Sequence, residues 1–124
     1  MNKMSAYGFV LVCIVFTVLG QLLIKWQAMG AGNFPATWPA RASFFLNLVF
    51  NPWIMAGLAS AVIAAFAWIL AMTKLPISVA YPMMSLTYPL VMGLSWILLG
   101  ESLSVWRLAG AAFILAGVAL LGLK

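Results

Sequence analysis

Polar side chains are rare in this sequence, and the few present are regularly spaced. Cys13, Thr17, Gln21 and Lys25 recur every fourth residue, which places them on one slowly drifting ridge of a helix. Tyr81, Ser85 and Tyr88 follow i, i+4, i+7 spacing and form a second stripe. Further on, Glu101 precedes Arg107 by six residues. These groups suit recognition. Amide, hydroxyl and phenol groups exchange hydrogen bonds, and Lys25 and Arg107 attract anions. Covalent catalysis and acid–base work are not encoded. The chain has no His, a single carboxylate and one Cys, so it offers no carboxylate pair, no thiolate cage and no intrachain disulfide. No catalytic residue, metal site or cofactor is expected.

The setting of these residues is unusual. Of 124 residues, 67% are apolar and 6% charged, where a soluble domain is about half apolar and about a quarter charged. So few charges cannot build a water-facing surface. The solvent of this chain is lipid. The net charge of +5 comes from six scattered cations, which form no run and give no nucleic-acid footprint.

A hydrocarbon core about 30 Å thick takes roughly 20 apolar helical residues. Four stretches fit: residues 7–26, 53–73, 77–99 and 105–123. Helix follows because lipid offers the backbone no outside partner, and the runs are too long and too evenly apolar for barrel strands. The expected fold is an all-α integral membrane protein, one domain of four transmembrane helices in a dimeric bundle. Ala28-Met29-Gly30 is a passable signal-cleavage site, but the apolar run before it exceeds a signal core and carries Gln21 and Lys25. The first span is therefore expected to be retained.

Lys74-Leu75-Pro76 and Gly100–Ser104 are short links, so the spans they join are antiparallel neighbours. The first loop, 27–52, is long. Gly30, Gly32, Pro35 and Pro39 open it, and its apolar second part, Ala42 to Phe50, reads equally as a surface helix or an ordered loop. Charge does not set the orientation. Lys3, Lys74 and Lys124 fall on one side, Lys25, Arg41 and Arg107 on the other. Counting Lys25 and Arg107 as site residues tips the balance toward an inside N-terminus.

Each polar position has a plain structural reading beside the functional one. Gln21 lies deep enough in the first span to need a partner or a wet cavity. Lys25 either belongs to a site or snorkels from the helix end. In the third span, Tyr81-Pro82 and Tyr88-Pro89 stand seven residues apart. Each Pro removes a backbone donor and frees a carbonyl one turn back. Such breaks survive in lipid where protein or a cavity re-satisfies the backbone. This span is either the bending wall of a substrate path or a kinked structural helix. Glu101 suits a helix start paired with a cation. Gly110 and Gly117 in the fourth span, and Gly57, Ser60, Ala61, Ala64 and Ala65 in the second, suit close helix packing.

Gly20-Gln21-Leu22-Leu23-Ile24-Lys25, Ala80-Tyr81-Pro82-Met83-Met84-Ser85-Leu86, and Glu101 with Trp106-Arg107-Leu108-Ala109-Gly110 and Ala116-Gly117 together make the chain resemble the small multidrug resistance branch of the drug/metabolite transporter superfamily. Within it, the chain is similar to subunits of the 4-amino-4-deoxy-L-arabinose-phosphoundecaprenol flippase. The resemblance covers nearly all of the chain except the first loop. It implies a multi-pass bacterial inner-membrane transporter that flips an undecaprenyl-phosphate-linked aminosugar for lipid A modification. It also implies assembly as a homodimer or as a heterodimer with a similar small subunit. Thr17 stands where proton-coupled drug exporters of this branch resemble a template with a glutamate. Without that carboxylate, exchange of protons for a cationic drug loses its titrating group. A lipid-linked sugar phosphate needs only a polar path for its headgroup. The substrate-binding candidates are therefore Thr17, Gln21, Lys25, Tyr81, Ser85, Tyr88, Glu101 and Arg107. Two other readings stay open: an exporter of small cations or metabolites, and a membrane subunit that does not itself transport.

Overall fold

A computed structural model describes residues 2–122. Lys124, one of the cations in the charge comparison, lies outside the described residues, as does the expected last residue of the fourth span, Leu123. Among the described residues six helices follow one another: α1 (Lys3–Met29), α2 (Trp38–Val49), α3 (Pro52–Met72), α4 (Ile77–Met83), α5 (Thr87–Leu98) and α6 (Val105–Leu121). A single 3-10 turn, Met84–Leu86, links α4 to α5. No strand occurs among the described residues.

Three of the helical stretches are long and apolar enough to cross a bilayer: α1, α3, and the run Ile77–Leu98 that contains α4, the 3-10 turn and α5. The fourth, α6, is apolar but only 17 residues long. Local sequence sets where the helices begin. The Asn2 side chain accepts from Ser5 N–H at 2.9 Å and starts α1 four residues before the expected boundary. Asn51 accepts from Trp53 N–H at 2.9 Å, and Pro52 occupies the first turn of α3, where a missing N–H costs nothing. Ser104 accepts from Arg107 N–H at 3.2 Å and starts α6. Gly100 turns the chain between α5 and α6 at φ +71°, a left-handed conformation that favours glycine.

The first loop carries more helix than its sequence signals. Trp38–Val49 is helical, with Pro39 in its first turn, so the helix begins before the apolar stretch at Ala42. Proline pre-sets the backbone for a helix start, and this overrides its reading as a loop residue. The α2 side chains remain largely outside the bundle; none is buried. Arg41 is held locally. Its Nε donates to the Pro35 carbonyl at 2.9 Å, and its guanidinium lies 5.1 Å from the Phe34 ring and 5.3 Å from the Trp38 ring.

The tightest packing is between α1 and α3. A Cβ added at Gly20 would stand 2.8 Å from the Gly57 carbonyl oxygen, and one added at Gly57 would stand 2.9 Å from Ile24 Cγ1. Two backbones approach this closely only where neither residue has a side chain. At one end of this seam, Asn51 Nδ2 donates to Gln27 Oε1 at 3.0 Å and the Trp26 and Trp53 rings meet edge to face at 5.5 Å. Further along, Ala6, Val10, Ile14, Val18 and Leu22 of α1 are buried together with Ala71, Leu75 and Ala80. The fourth span, whose small residues suit close packing against a helix of this chain or of another, meets no close partner here. A Cβ at Gly110 or Gly117 would meet nothing within 4 Å, and α6 buries none of its residues. Its small residues do not mediate close helix contact within this chain.

Candidate functional site

A groove of about 510 Å3 runs between α1, α3 and the broken third span. From α1 it takes Cys13, Thr17, Gly20, Gln21 and Ile24. These positions share a face because they follow three- and four-residue steps. From α3 come the small residues Gly57, Ala61, Ala64 and Ala65, and also Trp68. From the third span come Tyr81, Pro82, Met84, Ser85, Thr87 and Tyr88. Gln21 and the two tyrosines therefore line one cavity rather than pointing apart. Tyr81 and Tyr88 are each 67% exposed, so the phenol groups remain available along the groove.

The proline breaks shape this wall. Pro82 and Pro89 have no N–H to give the carbonyls of Ser78 and Ser85, one turn back. The helix tightens to 3-10 geometry over Met84–Leu86 between them. Ser85 Oγ donates to the Pro82 carbonyl, which satisfies a backbone acceptor beside the break. The stripe Tyr81, Ser85, Tyr88 faces the groove across this irregular segment.

A second depression of about 610 Å3 shares Thr17, Gln21, Thr87 and Tyr88 with the first and continues to Ser95, Glu101, Leu103 and Arg107. The two depressions adjoin at these shared residues and together run from the level of Cys13 to the link between α5 and α6, with polar side chains set among apolar ones. Here the charges gather. Lys25 Nζ lies 3.7 Å from Glu101 Oε1, with the two side chains 54% and 39% exposed. Arg107 Nη1 donates to the Ser102 carbonyl at 3.0 Å. Glu101 and Arg107 line the depression, whereas Lys25 reaches it through Glu101. An ion pair this open to solvent contributes at most about 1 kcal/mol. Its consequence is positional, since it ties the end of α1 to the α5–α6 link.

The structure brings Thr17, Gln21, Tyr81, Ser85 and Tyr88 to the groove, and Glu101, Arg107 and, through its ion pair, Lys25 to one end of it. Three lining residues had no clear signal in the sequence as site members. Trp68 sits in an unbroken apolar run, and only the packing of α3 on α1 turns it toward the cavity. Thr87 adjoins the tyrosine stripe but falls outside its spacing. Ser95 is buried at 5% exposure and donates to the Val91 carbonyl, so its hydroxyl is already engaged by its own helix. Among the described residues no cluster of His, Cys, Asp and Glu suits a metal ion.

Comparison with known proteins identifies the family. The chain is 32% identical over 130 residues to a Yersinia enterocolitica protein described as the probable 4-amino-4-deoxy-L-arabinose-phosphoundecaprenol flippase subunit ArnF, with 98% of this chain and 96% of that protein covered. It is 34% identical over 113 residues to the corresponding probable subunit ArnE of Aeromonas salmonicida, covering 91% of this chain and 92% of the relative. A Pseudomonas fluorescens protein described as probable ArnE is 29% identical, with 96% and 97% covered. No family model matches the chain, and no solved structure gives a significant match. Both kinds of subunit are matched at comparable identity and over almost their full length, so the chain belongs to the family of the 4-amino-4-deoxy-L-arabinose-phosphoundecaprenol flippase subunits ArnE and ArnF.

Proposed function

We propose that this chain is a subunit of a bacterial inner-membrane transporter that moves an undecaprenyl-phosphate-linked aminosugar across the bilayer. The observation that carries this reading is the groove itself. Two adjoining depressions, which share Thr17, Gln21, Thr87 and Tyr88, set these groups and Tyr81 and Ser85 between helices that are otherwise apolar. They end at Lys25 and Arg107, which suit a phosphate. The polyprenyl tail is already compatible with lipid, so only the headgroup needs shelter. Hydroxyl, phenol and amide groups offer a sugar both donors and acceptors. The role is transport rather than catalysis, because the groove binds and releases without a group that forms or breaks a bond.

All four apolar stretches span the membrane in this reading, α6 with the help of its flanking residues. The groove is open along one side, and one four-helix layer gives it too little wall. A second small subunit, identical or similar, completes the enclosure. The bare face of α6 with Gly110 and Gly117 is the proposed contact. Crosslinking through α6 that traps no dimer would remove that contact.

Transport of the lipid-linked aminosugar into vesicles tests the function. Lys25→Ala is expected to weaken capture roughly tenfold, the scale of one charge-assisted contact to phosphate, with folding unchanged. Unaltered transport by this variant removes Lys25 from the site. The cation-exporter reading is tested by resistance to quaternary ammonium compounds. The only carboxylate, Glu101, is held by Lys25 at the groove end, so no protection is expected.

A further inference from the structure

Trp68 is the only large aromatic side chain that α3 gives to the groove. Its ring meets the Tyr81 ring at 6.0 Å and 76°, so the two rings form a corner at the cavity wall. Trp68 also packs on the buried cluster of Cys13, Ala64 and Ala67, which fixes the corner at the level of Cys13. Lys25 lies twelve residues further along α1, about 18 Å away at the helical rise. Glu101 is at that same far end. None of the residues lining the groove around Trp68 is a carboxylate. What this inner region offers a cation is π faces and hydroxyl groups.

We propose that Trp68 and Tyr81 form an inner station that takes the ammonium group of an aminosugar headgroup by cation–π contact. The proposal rests on the flippase reading above. An ammonium is drawn to the negative face of an aromatic ring, most strongly to Trp, and the attraction grows as the cation loses water. A sugar phosphate of one ring is well short of the distance from this corner to Lys25. The headgroup therefore meets the two regions in succession. Its phosphate is held at the cationic end first, and its amine reaches the aromatic corner as the headgroup moves inward.

The test uses membrane vesicles from cells that make the chain with its partner subunit. It compares movement of the lipid-linked aminosugar with movement of the same lipid carrying an N-formyl group, which removes the charge and adds little bulk. The wild-type chain is expected to favour the free amine roughly tenfold, Trp68→Phe roughly threefold, and Trp68→Leu not at all, following the order of ring strength. The ratio does not depend on how much protein folds, so a purely structural role for Trp68 would lower both rates and leave it unchanged. An unchanged ratio in Trp68→Leu overturns the station. Should that variant fail to accumulate, an unchanged ratio in Trp68→Phe overturns it equally. A wild-type ratio of one, with both lipids moving, overturns the station and leaves the flippase reading standing. Movement of neither lipid by the wild-type chain overturns both.

Discussion

The two walls of the groove are built on opposite principles. On one side, α1 and α3 meet backbone to backbone at Gly20 and Gly57, with the seam fastened by the Gln27–Asn51 hydrogen bond and the Trp26–Trp53 contact. On the other, the third span is broken into α4, a 3-10 turn and α5, with two prolines that have no N–H to give the residue one turn back. The first wall has little room to change, since closely packed surfaces resist deformation. The second has missing backbone bonds where bending costs little. A path that must admit a headgroup and release it benefits from one fixed wall and one that moves. The polar ridge of α1 lies on the tightly packed wall and the tyrosine stripe on the broken one, so the expectation is that any bending is concentrated in the second.

The largest expected effect comes from breaking the fixed wall. Gly20→Val places a branched side chain where even a Cβ stands 2.8 Å from the Gly57 oxygen. Overpacking of this kind costs about 1–3 kcal/mol or more, so the variant is expected to lose thermal stability in detergent and most of its transport. Gly110→Val, where nothing lies within 4 Å, is the matched control and should keep the stability of the isolated chain. Equal losses in the two variants would show that the seam is not special.

A smaller effect, of opposite sign for stability and activity, comes from stiffening the moving wall. Pro82→Ala restores a donor for the Ser78 carbonyl and removes the ring clash. The helix should gain stability, up to about 3 kcal/mol by the cost of proline in a helix interior, and transport should slow several-fold. Faster transport in the straightened helix would overturn the assignment of this wall as the one that moves.

The smallest effect concerns the tie between the two walls. Glu101→Gln removes the charge that Lys25 faces at 3.7 Å. Thermal stability should change by less than about 1 kcal/mol, because the pair is solvent-exposed. Capture of the headgroup's phosphate should improve about twofold once Lys25 is released. The improvement should fade at high salt, where exposed charges are screened. A loss of capture would instead make Glu101 a direct contact of the substrate.

Much of the candidate site was legible in advance because helical spacing is a local property. The four-residue steps from Cys13 to Lys25, and the i, i+4, i+7 stripe of Tyr81, Ser85 and Tyr88, place side chains on a face whatever the helix packs against. The proline breaks were legible for the same reason, since a missing N–H needs no tertiary partner to be felt. The helical turn at Trp38–Pro39 was not, because Pro39 reads equally as a loop former or a helix starter until the next turn forms. Trp68 was hidden too, being one apolar residue in a run where every face is apolar and periodicity carries no information.

By itself, the sequence determined the solvent of this protein, its helical content, the facial grouping of its polar residues and the lack of histidine and of a carboxylate pair. These follow from composition and from backbone geometry repeated along a single helix. Only the tertiary structure decided which faces meet. It chose Gly20 and Gly57 over Gly110 and Gly117 as the close contact, joined the two polar stripes into one groove, and set Lys25 against Glu101 across 76 residues of chain. The physical reason is that helix pairing in lipid depends on the fit of whole surfaces rather than on hydrophobicity, and fit between two helices is a property neither helix possesses alone.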